Sequence, residues 1–123
     1  MPTFGPRSRA ALATCHQDLR LVLEDVIQRA DCSVLCGHRG QAEQDAAVAA
    51  GRSRTPWPTS RHNCIPSEAA DVVPYPIDWQ DIERFRELAR EIRAAAARLE
   101  VDLEWGGDWR MRDYPHWQIR RKP

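Results

Sequence analysis

Two histidines and two aspartates of this sequence have the types and spacing of a metal-dependent hydrolytic site. His62 stands in a polar loop, Asp71 begins an apolar run, and Asp113 precedes His116 by three positions. A carboxylate at the head of a buried strand is costly unless it is paired or bound to a metal ion. Two imidazoles and a carboxylate suit catalytic zinc, which keeps a position open for water beside a second carboxylate. The residues alone leave another interpretation open, in which His62 is an exposed loop residue and Asp71 caps a turn.

The other histidines and the cysteines are weaker ligand candidates. Cys32, Cys36 and His38 lie close enough in sequence to suggest structural zinc, but such sites prefer paired, short-spaced cysteines, and the chain has no C-x-x-C motif. We therefore expect free thiols, with Cys15 and Cys32 acting as small buried hydrophobes. His38 ends an apolar run and could also point into the site.

The elements that must position these residues follow from the apolar pattern. Steps of three and four from Leu12 to Val26 predict an amphipathic first helix, Gly51 ends a second, and Asp78 is a suitable N-cap for a third. The helices are predicted over residues 8–30, 40–50 and 79–99. Short strands are predicted over residues 33–38, 70–73, 101–105 and 116–119. Because helices and strands do not alternate as β-α-β units, we predict an α+β fold with a small, mainly antiparallel sheet packed with helices in a single compact domain.

Length and charge narrow the functional classes. The 123 residues suit one domain over residues 1–123, with an N-terminal helix and a catalytic core of about residues 33–119. Eighteen basic and eighteen acidic side chains give no net charge, which disfavours nucleic acid as a partner. No apolar run could span a membrane, and the N-terminus lacks the pattern of a secretory signal. We expect a monomer that is made in a cytoplasm.

Several motifs together resemble the M15 group of zinc peptidases. The motifs are Ser60-x-His62, Ser67-x-Ala69-x-Asp71, Trp105-Gly106-Gly107-Asp108-Trp109 and Asp113-x-x-His116. The resemblance extends from about Val34 to Ile119 and is strongest to phage endolysins that act as L-alanyl-D-glutamate peptidases. It implies an enzyme that hydrolyses peptidoglycan stem peptides, is made in the bacterial host cytoplasm and reaches the cell wall after holin-type release.

The resemblance also implies roles for individual residues. The Zn²⁺ ligands would be His62, Asp71 and His116, and Asp113 would be the catalytic acid/base. Arg39 would face the substrate and could also stabilise the oxyanion. Further substrate contacts are predicted for Ser60, Trp105 and Trp109. Core packing is the alternative for the two tryptophans, and an ordinary surface position is the alternative for Arg39.

One departure from the group's pattern affects the loop between the first two ligands. Asp71 stands nine positions after His62, whereas in the commoner motif the aspartate follows the histidine by seven positions, with a glycine between them. We interpret Cys64, Ile65 and Pro66 as lengthening the loop, which loops tolerate well. The altered rim leaves the exact substrate open, and the alternative within the same chemistry is a D-alanyl-D-alanine carboxypeptidase or dipeptidase. An alternative from another class is a non-catalytic phage structural or wall-binding module that keeps the fold.

Overall fold

Four α-helices, two short 3₁₀ helices and four strands form within residues 2–121, which are the residues that the computed structural model describes. The α-helices are α1 (Pro6–Ala13), α2 (Gln17–Val26), α3 (Gln41–Ala49) and α4 (Ile82–Arg98). The strands are β1 (Cys32–Cys36), β2 (Ala69–Pro74), β3 (Leu103–Trp105) and β4 (His116–Ile119). The 3₁₀ helices are Arg61–Asn63 and Gly106–Asp108. The predicted α+β class is confirmed, and the ends of the predicted domain, residues 1, 122 and 123, lie outside the described residues.

The sheet has the strand order β1-β2-β4-β3, and all neighbouring strands are antiparallel. Its register pairs Asp71 of β2 with His116 of β4 on one side and with Cys36 of β1 on the other. A register shift between Val34 and Cys36 lets Cys36 reach that row. Cross-strand partners have Cβ atoms about 4.5–5.5 Å apart on one face. The register therefore brings two of the predicted ligands together although 45 positions separate them in sequence.

A hydrophobic core joins the helices to the sheet and holds this register in place. Helices α2 and α4 pack against each other, α1 lies along β1, and α4 contacts β2. The most completely buried apolar side chains include Leu19, Val22, Val72, Val73 and Ile92.

Among residues 2–121, no helix combines the length and the apolar character that crossing a membrane would need.

The helix predicted over residues 8–30 is wrong as a continuous element, because the chain turns between α1 and α2. Cys15 forms an isolated bridge with Ser67 at the turn. His16 N–H donates to the carbonyl of Ser67 at 2.8 Å, and Ser67 N–H donates to the carbonyl of Thr14 at 2.9 Å. These bonds replace those of a continuing helix. The apolar pattern itself was right, since all its members are buried: Leu12, Cys15, Leu19, Val22 and Val26.

The start of the helix predicted over residues 79–99 is also corrected. Its N-cap is Asp81, whose side chain accepts a hydrogen bond from Arg84 N–H at 3.3 Å. Asp78, the predicted cap, instead accepts from Gln80 N–H at 3.0 Å and so stabilises the turn before the helix. Asp78 and Asp81 lie three positions apart, and either residue type is a favourable N-cap. The sequence pattern does not show which of the two caps the helix.

The remaining predicted elements are confirmed, with ends that shift by one or two residues. Strand β4 begins and ends where it was predicted, and β1, β2, β3 and α3 differ slightly in length. Gly51 follows the last turn of α3 with a φ of 77°, which is the left-handed conformation that glycine adopts most readily.

Gly106 allows the segment from Asp113 to His116 to approach the end of β3. A Cβ atom at Gly106 would lie less than 3.0 Å from the carbonyl oxygen of Asp113 and 3.1 Å from the Cβ atom of His116. Asp113 N–H also donates to the Gly106 carbonyl at 2.9 Å. The absence of a side chain at this glycine therefore sets the position of two predicted site residues.

Substituting Gly106 by alanine should therefore destabilise the fold. We expect Gly106→Ala to lower the free energy of unfolding by about 1–3 kcal/mol, because backbone must shift to admit the methyl group. Gly5→Ala is the control, since its Cβ would meet no atom within 4 Å. Gly5 is the N-cap of α1, so its replacement should cost less than about 1 kcal/mol. Urea unfolding measures both, and equal losses would contradict the proposed close approach.

Candidate metal centre

The three predicted ligands, His62, Asp71 and His116, meet beside the sheet where Asp71 of β2 pairs with His116 of β4. One ligand atom from each lies within 4.8 Å of the others, a grouping that could hold a metal ion. Asp71 Oδ1 is 3.3 Å from His62 Nε2 and 3.5 Å from His116 Nδ1. Both imidazoles are buried, and 20% of the Asp71 side chain is exposed. The carboxylate thus lies between two imidazole nitrogens.

Hydrogen bonds from backbone and side-chain groups position His62. The residue lies in the 3₁₀ helix Arg61–Asn63, which Ser60 caps. Ser60 Oγ accepts from His62 N–H at 3.2 Å, and Asn63 Oδ1 accepts from Ser60 N–H at 3.1 Å. Arg39 N–H donates to the His62 carbonyl at 2.7 Å. The ring is fixed by a 2.7 Å bond between His62 Nδ1 and the Gly37 carbonyl. Loop and ring are therefore both held by the segment that follows β1.

The hydrogen bond to Gly37 determines which nitrogen of His62 is available as a ligand. A carbonyl oxygen can only accept, so Nδ1 carries the proton and, in the neutral ring, Nε2 carries a lone pair. His62 Nε2 is buried and has no hydrogen-bond partner, yet it faces the Asp71 carboxylate. Two electron-rich atoms in this arrangement require a cation between them. A divalent metal ion fits that requirement.

Without a metal ion, the charge of Asp71 favours a proton on His62. Burial alone would lower the pKa of His62, but the neighbouring Asp71 carboxylate outweighs burial and raises the pKa to about 10. Burial alone would raise the pKa of Asp71, but the close approach of His116 and His62 holds it well below its usual range. The site is therefore an acceptor of positive charge, for which a proton and a metal ion compete.

The tautomer of His116 also follows from its neighbours. His116 Nε2 bonds to Gln118 Oε1 at 2.8 Å, and Gln118 Nε2 donates to Glu104 Oε1 at 3.0 Å. Because an amide oxygen can only accept, His116 Nε2 carries a proton. In the neutral ring, Nδ1 then has the lone pair on the side of Asp71. His62 Nε2 and His116 Nδ1 therefore both direct a lone pair toward Asp71 Oδ1.

Arg39 lies beside the ligands and contacts the second oxygen of Asp71. Its Nη2 atom is 3.6 Å from Asp71 Oδ2 and 3.7 Å from Cys36 Sγ. The side chain is 16% exposed, which excludes the alternative of an ordinary surface arginine. It adds a fixed positive charge at the rim of the site.

Gln44, on α3, holds Arg39 in place, and the sequence pattern did not single it out. This fully buried side chain accepts from Arg39 Nη1 at 3.0 Å and from Asn63 Nδ2 at 3.2 Å. It donates to Ser53 Oγ at 3.0 Å and to the Thr55 carbonyl at 2.6 Å. A glutamine in an alanine-rich helix is a possible signal for such a role, but its partners become known only from the fold.

Asp113 lies on the open side of the group. Its Oδ2 atom is 3.9 Å from His116 Nδ1, and 46% of the side chain is exposed. Burial is the largest influence on its pKa and, with the charge of Asp71, raises the pKa above the usual value. A carboxyl group with a raised pKa and access to solvent is suited to proton transfer.

The two tryptophans of the glycine-containing segment differ in environment. Trp105 is 6% exposed, stacks on Trp117 with ring centroids 5.7 Å apart, and donates its indole N–H to the Tyr114 carbonyl at 2.8 Å. These are the contacts of a core residue. Trp109 is half-buried and lies with its ring 5.0 Å from that of His116. Trp109 therefore borders the site, whereas substrate contact by Trp105 and Ser60 remains a prediction.

Two of the three residues that lengthen the loop between the first two ligands lie at the surface, whereas Cys64 is half-buried. Ile65 is 85% exposed and Pro66 is also exposed. Ser67 is completely buried, and its Oγ donates to the Ala69 carbonyl at 2.7 Å. The loop thus projects outward from an anchored end, so the longer spacing is compatible with all three ligands.

The cysteines and His38 are not part of the ligand group found among residues 2–121. Cys32 is buried in β1, and burial raises the pKa of its thiol to about 12. Cys36 is nearer, with Sγ 3.8 Å from His62 Nδ1. The predicted metal site therefore depends on imidazole and carboxylate groups.

The stability of the metal-free protein should fall as pH rises. The folded pKa of His62 is raised above its ordinary value of 6.5, so stabilisation by this proton is complete below pH 6.5 and is lost toward pH 10. Between pH 6.5 and about 8.5, we expect chelated protein to lose up to about 1.4 kcal/mol per pH unit. Thermal unfolding measures the trend.

Two controls distinguish this effect from other titrations. His62→Gln should flatten the dependence on pH, and saturating zinc should do the same because the ion replaces the proton. A chelated parent protein whose stability does not change over this interval would contradict the assigned protonation.

Comparisons with known proteins show the family to which the chain belongs. Residues 2–122 match the family model described as phage L-alanyl-D-glutamate peptidase. The chain is 31% identical over 124 residues to the L-alanyl-D-glutamate peptidase of Escherichia phage T5, covering 96% of this chain and 89% of that protein. The crystal structure of Serratia marcescens L-Ala D-Glu endopeptidase ChiX superposes with a TM-score of 0.81 at 32% identity, covering 96% of this chain and 90% of that one. The chain belongs to the phage L-alanyl-D-glutamate peptidase family.

Proposed function

We propose that this protein is a zinc-dependent peptidase that hydrolyses peptidoglycan stem peptides at the L-alanyl-D-glutamate bond. The observation that carries the proposal is the group of His62, Asp71 and His116 with Asp113 beside it. The phage T5 and Serratia relatives are named for cleavage of this bond. Two imidazoles and one carboxylate are also the ligand set of several zinc peptidases.

In the proposed reaction, zinc supplies Lewis acidity and the side chain of Asp113 transfers the proton. When bound, a zinc ion supplies Lewis acidity, which polarises carbonyl groups and makes water a better acid. Asp113 takes the proton of the attacking water on its carboxylate and passes it to the nitrogen of the leaving amine. Its partial exposure lets water and substrate reach it, and its raised pKa helps it retain the proton between the two transfers.

Arg39 and Trp109 are the proposed substrate contacts. The Arg39 guanidinium is held by Gln44 and Asp71, so it offers a positive charge that need not reorganise during reaction. It can stabilise the charge that develops on the scissile carbonyl, or bind a substrate carboxylate. Trp109 lies against His116 and forms one wall of the approach.

The proposed substrate also determines where the enzyme acts. Peptidoglycan lies outside the cytoplasmic membrane, and the relative from phage T5 is a phage protein. We propose synthesis in the host cytoplasm and action on the wall after release by a separate, holin-type protein. The partner is then a wall peptide, and the chain acts as a monomer.

Metal removal and product analysis test the proposal. Chelation should abolish release of peptides from purified peptidoglycan, and added zinc should restore it. Mass spectrometry should find new L-alanine ends on the glycan side of the cut. Release of terminal D-alanine would instead identify a carboxypeptidase, and absence of any cleavage by zinc-loaded protein would favour a non-catalytic wall-binding module.

Substitutions should separate metal binding from proton transfer. Asp113→Asn should lower kcat by about 10²- to 10⁴-fold while zinc stays bound, because general acid–base catalysis contributes on that order. His62→Ala should lose both zinc and activity. Asp108→Asn is the matched control, since Asp108 is an exposed aspartate five positions before Asp113 and pairs with Arg93 of α4 at the surface. Unchanged turnover in folded Asp113→Asn would refute its role.

A further inference from the structure

A line of hydrogen bonds extends from His116 away from the metal centre to Glu104. Glu104 pairs with Gln118 in the register of β3 and β4, and its Oε1 accepts from Gln118 Nε2 at 3.0 Å. Its Oε2 accepts from the indole N–H of Trp109 at 3.2 Å. Gln118 Oε1 in turn bonds to His116 Nε2 at 2.8 Å. Glu104 thus bonds to Gln118 and Trp109, which both lie against His116. Glu104 acts on His116 only through these two residues.

The chemistry of these groups allows one arrangement of protons. An ionised carboxylate only accepts, so it takes the NH₂ group of the Gln118 amide and fixes which way that amide points. The amide oxygen then faces His116, which must donate from Nε2. In the neutral ring, this leaves the lone pair on Nδ1, the atom that lies 3.5 Å from Asp71 Oδ1.

We propose that Glu104 is a positioning residue that sets the tautomer of His116 through Gln118, and thereby sets the affinity of the site for zinc. The inference rests on the proposed metal site and extends it to a residue on the edge strand β3. Partners that orient a metal-binding histidine typically change metal affinity by about 10- to 100-fold. Trp109 shares the same carboxylate, so it both borders the site and helps to fix Glu104.

Removing the charge of Glu104 tests the connection. In Glu104→Gln, the new amide has one oxygen for two donors, Gln118 and Trp109. The Gln118 amide can then reverse and present its NH₂ group to His116, which favours a proton on Nδ1 and blocks the ligand atom. We expect zinc affinity, measured by competition with a chromophoric chelator, to fall by about 10- to 100-fold.

A reciprocal double substitution tests the mechanism more specifically. In Glu104→Gln/Gln118→Glu, the carboxylate at position 118 accepts from His116 and from the new amide, whose oxygen is free for Trp109. All donors again have acceptors, so we expect zinc affinity to return to within about threefold of the parent protein, since tautomer control is regained. A loss caused by disturbed packing alone would not be rescued by exchanging the two side chains.

Asp102→Asn is the control for net charge, because Asp102 lies beside β3 and pairs with Arg120 at the surface. It should leave zinc affinity unchanged. Nitrogen-15 NMR of zinc-loaded parent protein should show the His116 proton on Nε2, a readout that needs no variant. Parent protein that fails to bind zinc would overturn the proposed function itself. Zinc-binding parent with its His116 proton on Nδ1, or a Glu104→Gln variant that binds as tightly as the parent, would overturn only the role of Glu104.

Discussion

The structure depends on the need to neutralise one carboxylate, that of Asp71, inside a site with two imidazoles. The outer nitrogen of each ring is occupied by a protein acceptor, Gly37 for His62 and Gln118 for His116. Each inner nitrogen faces the same oxygen of Asp71. Burial makes an uncompensated charge or an unpaired nitrogen expensive. A cation at this point would satisfy both imidazoles and the carboxylate.

Separate parts of the chain supply the three candidate ligands and Asp113, and three physical devices position these four residues. The antiparallel register places Asp71 opposite His116. A capped 3₁₀ turn and the Gly37 carbonyl place His62. Gly106 lets the Asp113 segment lie close to β3. Because sheet, turn and close approach are independent of the exposed loop at Ile65, that loop can lengthen without moving the ligands.

The types and spacing of the residues were sufficient to predict the α+β class and to nominate the residues of the candidate site. Apolar periodicity identified the buried positions from Leu12 to Val26 but not the break between α1 and α2, because Ser67, 52 positions after Cys15, provides the competing hydrogen bonds. The same limit concealed Gln44, Gln118 and Glu104. Their partners lie across the fold, and sequence spacing carries no record of strand register. Family resemblance supplied the predicted roles, and the structure shows which of these residues lie close together.

Anomalous diffraction at the zinc absorption edge, on crystals grown with zinc, would locate the metal ion. We expect one strong peak bound by His62 Nε2, an Asp71 carboxylate oxygen and His116 Nδ1, each at about 2.0–2.2 Å. We also expect Asp113 to lie outside this set of ligands. A peak held by cysteine sulfur, or zinc-grown crystals with no peak among these three residues, would contradict the assigned metal site.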